Sequence, residues 1–374
     1  MSLKILQTLC SLPTAPFVED RPLAYVDAFA EKRKRLRASQ DKFGNRLVEL
    51  PGTSDGPRLV FVAHLDHPGM VADEMAGKRT LHAVFRGGVY ADYLPGTKVR
   101  FFDLTKNKPT EIAGTIQDVT ANDRGRATHV VVKVKQPVPS GAPGMFDVGT
   151  GRIDGERFHC RCCDDLAGAS AILAALDRLH RAKHPPKQTV AALFTRGEED
   201  GFIGAIAAAR RPKLLKKSDR VLSIECSAEQ PAAQQGKGVV LRVGDLTSIF
   251  DSPLTSWMAS ECAALAKSDE TFKFTRALMP GGTCEATPFN LWGFTAAAVC
   301  VPLGNYHNMA PPTANGKKKI AAEHIHLDDW RNMVELFVRL GREHHGFDPK
   351  LPALRERLER RFADHEHLLA AHVR

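Results

Sequence analysis

The 374-residue chain has no long apolar segment. No apolar run approaches the roughly 18 residues that a membrane-spanning helix requires. Residues 1–16 are apolar only in short stretches, and they lack the basic start and continuous apolar core of a secretory signal. We therefore expect no membrane partner and a cytoplasmic location.

The sequence also lacks the dense cysteine spacing of a disulfide scaffold. Its 8 cysteines are spread through a long chain, which is typical of free thiols in a reducing compartment. One cluster contains residue types that can hold a structural zinc ion: His159, Cys160, Cys162 and Cys163. Its spacing is too tight for the usual arrangement, which needs a distant second pair. A structural zinc site is therefore the weaker interpretation.

The sequence has fewer acidic residues than basic ones, and its formal net charge is +9. A basic surface attracts phosphates, so nucleic-acid binding has to be considered. The densest basic runs contain no aromatic residues for base stacking and have the character of solvated helix faces or loops: residues 32–37, 213–217, 317–319 and 355–361. We expect no nucleic-acid partner.

The length exceeds the size at which single cores usually divide, so two domains are expected. Short apolar runs predict strands that are buried on both faces: Arg58–Ala63, Thr189–Thr195, Arg220–Glu225 and Phe294–Pro302. Helical patterns alternate with them at Leu166–His180, Ile203–Lys216, Leu254–Ala266 and Leu327–Arg342. This alternation predicts a three-layer α/β domain, with a mostly parallel sheet between helices, formed by residues 1–70 and 156–374.

Residues 71–155 have a different character. Helical periodicity disappears, and β-prone segments separated by Gly, Pro and Asn remain, most clearly Val99–Leu104, Ile112–Val119 and His129–Val134. We interpret this stretch as a small, barrel-like all-β domain inserted into the α/β domain. The last segment, Leu351–Arg374, has apolar residues at helical spacing among many charges and predicts a surface helix.

Histidines and acids follow the buried strands where each apolar run stops, and a further acidic pair begins a helix. They are His64 and Asp66, Asp164 and Asp165, Glu198 and Glu199, Glu225, and His307. Carboxyl ends of parallel strands meet at one edge of a sheet, where such folds bind ligands. Consecutive carboxylates at a buried strand end repel one another unless cations offset their charge.

Each of these residues also has an ordinary explanation. A single His-x-Asp is most often a pair of polar residues on the surface, Asp165 can cap the helix that follows it, and His67 is assigned no role. Jointly, a metal site explains the pattern better. Imidazole and carboxylate ligands without thiolate suit zinc, cobalt or manganese, and a pair of ions needs a shared ligand, for which Asp164 is the natural candidate.

In these residues and in the motifs around them, the sequence resembles the tetrahedral aminopeptidases. This family is the glutamyl and deblocking aminopeptidase-like branch of the co-catalytic dizinc peptidases. The resemblance runs from Leu9 to about Arg342 and includes the position of the inserted β-domain. Its motifs are AHLD (Ala63 to Asp66), DDLAG (Asp164 to Gly168), TRGEEDGFIGA (Thr195 to Ala205), GKGVV (Gly236 to Val240), GGT (Gly281 to Thr283) and YH (Tyr306, His307).

The resemblance implies a peptidase with two divalent metal ions per chain, zinc first and cobalt or manganese as alternatives. One ion would be held by His64, Asp164 and Glu225, and the other by Asp164, Glu199 and His307. It further implies that Asp66 orients His64, that Glu198 is the general base, and that the Asp164–Asp165 peptide is cis. Homo-oligomers would assemble through the inserted β-domain, and short peptides would be the substrates.

The sequence departs from the family pattern in ways that leave the substrate open. Glu225 stands where these aminopeptidases usually have Asp, and Glu there is more typical of related carboxypeptidases and N-acyl amino acid deacylases. Those enzymes pair a substrate α-carboxylate with an arginine, and Arg276 is a possible partner here. An inactive metal-binding or interaction protein is a third interpretation, which the intact Glu198 disfavours.

Overall fold

The computed structural model describes residues 2–105 and 109–370. Its α-helices are α1 (Ser2–Leu9), α2 (Asp20–Glu31), α3 (Leu166–Arg181), α4 (Ile203–Arg210), α5 (Ser252–Ser268), α6 (Ala286–Leu291), α7 (Leu327–Glu343) and α8 (Pro352–Ala370). None of the helices in these ranges is both long and apolar enough to cross a membrane.

The strands fall into groups along the chain. The first group is β1 (Arg37–Gln40), β2 (Arg46–Leu50) and β3 (Leu59–His64). The second is β4 (Gly69–Gly77), β5 (Thr80–Arg86), β6 (Lys98–Asp103), β7 (Thr110–Ala121), β8 (Ala127–Val134) and β9 (Pro143–Phe146). The remainder are β10 (Arg152–Asp154), β11 (Arg157–Cys160), β12 (Val190–Thr195), β13 (Arg220–Ala228), β14 (Val239–Gly244), β15 (Phe274–Leu278), β16 (Thr295–Gly304), β17 (Met309–Ala310), β18 (Lys319–Ile320) and β19 (Glu323–His326).

An eleven-stranded sheet forms the body of the molecule, in the order β1-β2-β12-β3-β13-β16-β19-β11-β10, with β14 beside β16 and β15 beside β14. The central strands β12, β3, β13 and β16 run parallel, as do β14 and β15. The other pairings are antiparallel. The sheet is therefore mixed, and the prediction of a mostly parallel sheet is correct only for its centre. Hairpin pairs such as β1 with β2, and β10 with β11, have connections too short for parallel pairing.

Strand β3 shows why the sequences of the central strands are continuous apolar runs. All of its residues are buried, and alternate side chains enter different apolar clusters. Phe61 packs with α3 and α7, its ring centroid 4.7 Å from that of Phe337, whereas Val60 and Val62 pack with α4 and α6. Helices thus cover both faces of the central sheet.

Strands β4 to β9 close into a six-stranded barrel in the order β4-β5-β8-β7-β6-β9. The barrel has its own apolar core, which includes Phe85, Phe101 and Phe146. It lies in the chain between β3 and β11, and its strands, from Gly69 to Phe146, overlap most of the region 71–155 that the sequence assigned to an inserted β-domain. Strand β10, however, pairs with β11 in the large sheet. The domain boundaries at residues 71 and 155 stay a prediction.

The predicted helices are present, and the largest difference among the bounds of the four predicted helices of the α/β domain is at the end of α4. Helix α4 ends at Arg210 rather than Lys216. Pro212 explains this early end, because a residue before proline is disfavoured in helical conformation, and Arg211 has φ −132° and ψ 67°. The predicted terminal helix is α8, and residues 371–374 of that prediction lie outside the described residues.

Candidate metal centre

The predicted ligands meet at the carboxyl ends of the central parallel strands. His64 is the last residue of β3 and lies opposite Thr195, the last residue of β12. Glu225 lies near the end of β13, and His307 lies in a 3₁₀ turn that follows β16. The location is the edge at which open α/β sheets bind ligands.

Two groups of potential ligand atoms share Asp164. In the first, His64 Nε2 lies 3.6 Å from Asp164 Oδ1 and 3.9 Å from Glu225 Oε2. In the second, His307 Nε2 lies 3.8 Å from Asp164 Oδ2 and 3.2 Å from Glu199 Oε2. Within each group the ligand atoms lie within 4.8 Å of one another. Asp164 therefore presents one carboxylate oxygen to each group, as a ligand shared by two ions would.

Several carboxyl groups crowd this buried edge. Burial, reinforced by neighbouring carboxylates, raises the pKa of Glu198 and Glu199 well above the ordinary value and that of Glu225 to about 8. Glu199 Oε1 and Glu225 Oε1 are buried and have no hydrogen-bond partner among the described residues. Divalent cations would offset the repulsion and satisfy these oxygens, so the residues present fit a metal centre.

Asp66 connects the two strand ends that carry the site. Its Oδ1 lies 3.6 Å from His64 Nδ1. The same carboxylate accepts hydrogen bonds from the backbone N–H groups of Glu198 and Glu199, each 3.0 Å long. Asp66 is thus placed to fix the imidazole of His64 and the loop after β12 together.

The backbone of Asp164 is held on both sides by residues that sequence reasoning missed. Glu323, fully buried on β19, accepts hydrogen bonds from the N–H groups of Cys163 (2.7 Å) and Asp164 (3.2 Å). His67 Nδ1 lies 2.7 Å from the carbonyl oxygen of Asp164. The Asp164–Asp165 peptide is cis, as the resemblance implied, and Asp165 caps α3 by accepting from the N–H of Gly168.

The turn that carries His307 has unusual backbone geometry. Asn305, His307 and Asn308 have φ of 54°, 53° and 62°, in the left-handed region that non-glycine residues seldom adopt. The Asn308 side-chain amide donates to the carbonyl oxygens of Arg161 (3.0 Å) and Ala321 (3.1 Å). These contacts hold the turn in place, which is how strained backbone persists at functional sites.

The loop that carries Glu198 and Glu199 is fixed by another buried acid, Glu19. Its carboxylate accepts from the backbone N–H of Gly197 (2.9 Å) and from Nε of Arg196 (2.7 Å). Gly197 has φ +61°, and a Cβ there would lie 2.5 Å from the Phe17 ring. Glycine is therefore required at position 197. The turn that it forms leads directly into the two acids, Glu198 and Glu199.

All eight cysteines are buried and unpaired. Burial raises the pKa of the Cys163 and Cys226 thiols well above the ordinary value, so both are neutral packing groups. Cys160 and Cys162 each donate from Sγ to the carbonyl oxygen of Cys10. Within the described residues, the cluster of His159, Cys160, Cys162 and Cys163 does not form a group with metal-ligand spacing. The structural zinc site considered from the sequence is not supported.

A cavity of about 240 Å³ opens beside the candidate ligands and is lined by Glu225, Arg242, Tyr306 and the Gly281–Thr283 segment. Arg242 is 3% exposed. Its Nη1 donates to Ser227 Oγ, and its Nε has no hydrogen-bond partner in the described part of the chain. Arg276, the candidate from the sequence, is exposed on β15 and does not line this cavity. Arg242 was missed because it lies inside an apolar strand with no motif around it.

A family model, that of the M42 glutamyl aminopeptidases, matches residues 44–313. The match covers most of the chain, and the protein belongs to this family of metallopeptidases. A comparison with curated protein sequences finds no match.

Solved structures of peptidases have the same fold. A Pyrococcus horikoshii TET1 peptidase is 20% identical, with a TM-score of 0.72 over 92% of this chain and 100% of its own. An aminopeptidase of the archaeon Desulfurococcus kamchatkensis is 18% identical (TM-score 0.73; 91% and 94% covered). A TET aminopeptidase from a marine sediment Thaumarchaeota archaeon is also 18% identical (TM-score 0.74; 91% and 96% covered). At these identities the likeness establishes the fold.

Proposed function

We propose that this protein is an aminopeptidase that removes the first residue of short peptides with two divalent metal ions. The observation that carries the proposal is the position of Asp164, whose two carboxylate oxygens face separate groups of a histidine and an acid. His64 and Glu225 would complete one metal site, and His307 and Glu199 the other. Each group has imidazole and carboxylate donors, which suit zinc and also cobalt or manganese.

Glu198 would serve as the general base. Its Oε2 lies 3.8 Å from His64 Nε2, beside both groups, and it is not needed in either ligand set. Bound divalent ions would lower the pKa of water and polarise the peptide carbonyl. Glu198 would take a proton from the attacking water and deliver it to the leaving amine. Asp66 would hold the loop that carries Glu198 in a fixed position relative to His64.

One observation favours the second candidate function, a carboxypeptidase or N-acyl amino acid deacylase. Such an enzyme needs a cation for the substrate α-carboxylate, and buried Arg242 lines the cavity next to Glu225. In an aminopeptidase, the same arginine would instead face the side chain of the first residue and favour an acidic one. Family membership supports the aminopeptidase as the first choice.

One tripeptide assayed in free, N-acetylated and C-amidated forms separates these functions. We expect N-acetylation to abolish cleavage, because an aminopeptidase must recognise a free amine, and C-amidation to have little effect. A liquid-chromatography assay of the released residue gives kcat/KM for each form. The reverse pattern would assign the protein to the carboxypeptidase and deacylase class with the same metal chemistry.

We further propose a homo-oligomer that assembles through the β4–β9 barrel. Structures of the relatives support assembly: one is described as a dodecamer, and the Pyrococcus horikoshii TET1 peptidase assembles into a tetrahedron or an octahedral shell. The barrel has an apolar core separate from that of the large sheet, as expected of a separate domain.

A further inference from the structure

Helix α8 has no packing partner among the described residues along most of its length. Every side chain described from Pro352 to Leu369 is exposed. Near the beginning of α8, Leu354 lines a cavity together with Trp257 of α5. From Leu358 onward, the apolar residues are more than half exposed: Leu358 55%, Phe362 52%, Leu368 51% and Leu369 66%. Leu354, Leu358 and Phe362 lie four residues apart, and Leu369 continues this face, which forms an apolar stripe.

The charges of α8 are divided between its halves. Residues 352–361 contain four arginines and two glutamates, a formal charge of +2. Residues 362–370 contain Asp364 and Glu366 with no lysine or arginine, a formal charge of −2. This order opposes the helix macrodipole, which favours acids near the beginning and bases near the end. Stability of the isolated helix therefore does not explain the pattern.

We propose that the apolar stripe of α8 pairs with α8 of a second copy of this chain in antiparallel orientation. In that arrangement, the basic half of each helix lies against the acidic half of the other, and the two macrodipoles oppose. A two-fold axis makes the contact self-complementary, since the same surface serves both copies. Phe362 of each copy lies near the axis, and Leu354 of one copy lies near Leu369 of the other. This interface is separate from the barrel and from the metal centre.

Engineered cysteines test both the pairing and its direction in the full-length protein. Chains carrying Leu354→Cys are mixed with chains carrying Leu369→Cys and treated with a short bismaleimide. The eight native thiols are buried, and wild-type protein is the control. We expect a cross-linked dimer in the mixture and little in either variant alone. Absence of cross-linking in the mixture would overturn the proposal, and cross-linking of Leu354→Cys alone would show a parallel pair and also overturn it.

Charge reversal provides an independent test. Arg357→Glu with Arg361→Glu makes the first half of α8 acidic, and we expect cross-linking in the same assay to fall at least about tenfold through like-charge repulsion. Adding Asp364→Lys and Glu366→Lys to the same chains restores complementarity and should restore cross-linking. No recovery would contradict the charge argument. Peptidase activity should be unchanged throughout, so this test is separate from that of the enzymatic function.

Sedimentation of the wild type with anionic lipid vesicles, without self-pairing, would identify a membrane as the occupant and overturn the proposal.

Discussion

Replacing Asp164 with asparagine is expected to reduce the metal content from about two ions per chain to at most one. We also expect kcat/KM to fall by about 10⁴-fold or more, which is the size of the loss when an essential catalytic group is removed. Asp164 Oδ1 faces His64, and Oδ2 faces His307. Asparagine keeps one oxygen acceptor and replaces the other with an N–H₂ group that cannot bind a cation. The variant also loses the negative charge shared by the two groups.

The measurement is elemental analysis of the purified variant together with peptidase kinetics. Asp200→Asn is the matched control, because Asp200 follows Glu199 directly but is exposed and pairs with Arg86 at 2.7 Å. The control should keep both its metals and its activity. An Asp164→Asn protein that retained two ions would show that this carboxylate does not bridge the sites.

Replacing Glu198 with glutamine should leave the metals bound and lower kcat by about 10²- to 10⁴-fold, as expected for a lost general base. Glutamine preserves the size of the side chain, and the backbone N–H of residue 198 can still donate to Asp66. The substitution removes the carboxylate that would accept a proton from water. KM for a short peptide should change little.

Glu199→Gln is the comparison for this experiment. Glu199 Oε2 lies 3.2 Å from His307 Nε2, so its amide should weaken metal binding at the second group. Elemental analysis and kinetics of the two variants separate a base from a ligand. If Glu198→Gln lost its metal and Glu199→Gln kept it, the two roles would be reversed.

The central strands and the residues at their ends could be predicted because each carries its own local signal. A strand buried on both faces is a continuous apolar run, and a charged residue where that run stops is conspicuous. His64, Glu199 and Glu225 were selected as candidate ligands in this way, and the structure brings them to one edge with Asp164 and His307. The antiparallel flanks of the sheet were not predicted, because short edge strands such as β1 are exposed and lack an apolar pattern.

The supporting contacts were missed for a different reason. Glu323 holds the amides of Cys163 and Asp164 across about 160 residues of chain. His67 and Asn308 are joined by a 3.0 Å hydrogen bond across a still longer separation. An isolated acid or amide in a loop or short strand has no local feature that distinguishes it from a solvated residue. Only the folded arrangement reveals that these side chains fix the candidate ligands.

The most direct test of this account is the metal content of the wild-type protein, measured by inductively coupled plasma mass spectrometry and followed by activity during chelation and reconstitution. The two groups built around Asp164 predict about two divalent ions per chain. Activity should disappear as a chelator removes them and return when zinc, cobalt or manganese is added. Full peptidase activity after exhaustive metal removal would contradict the account.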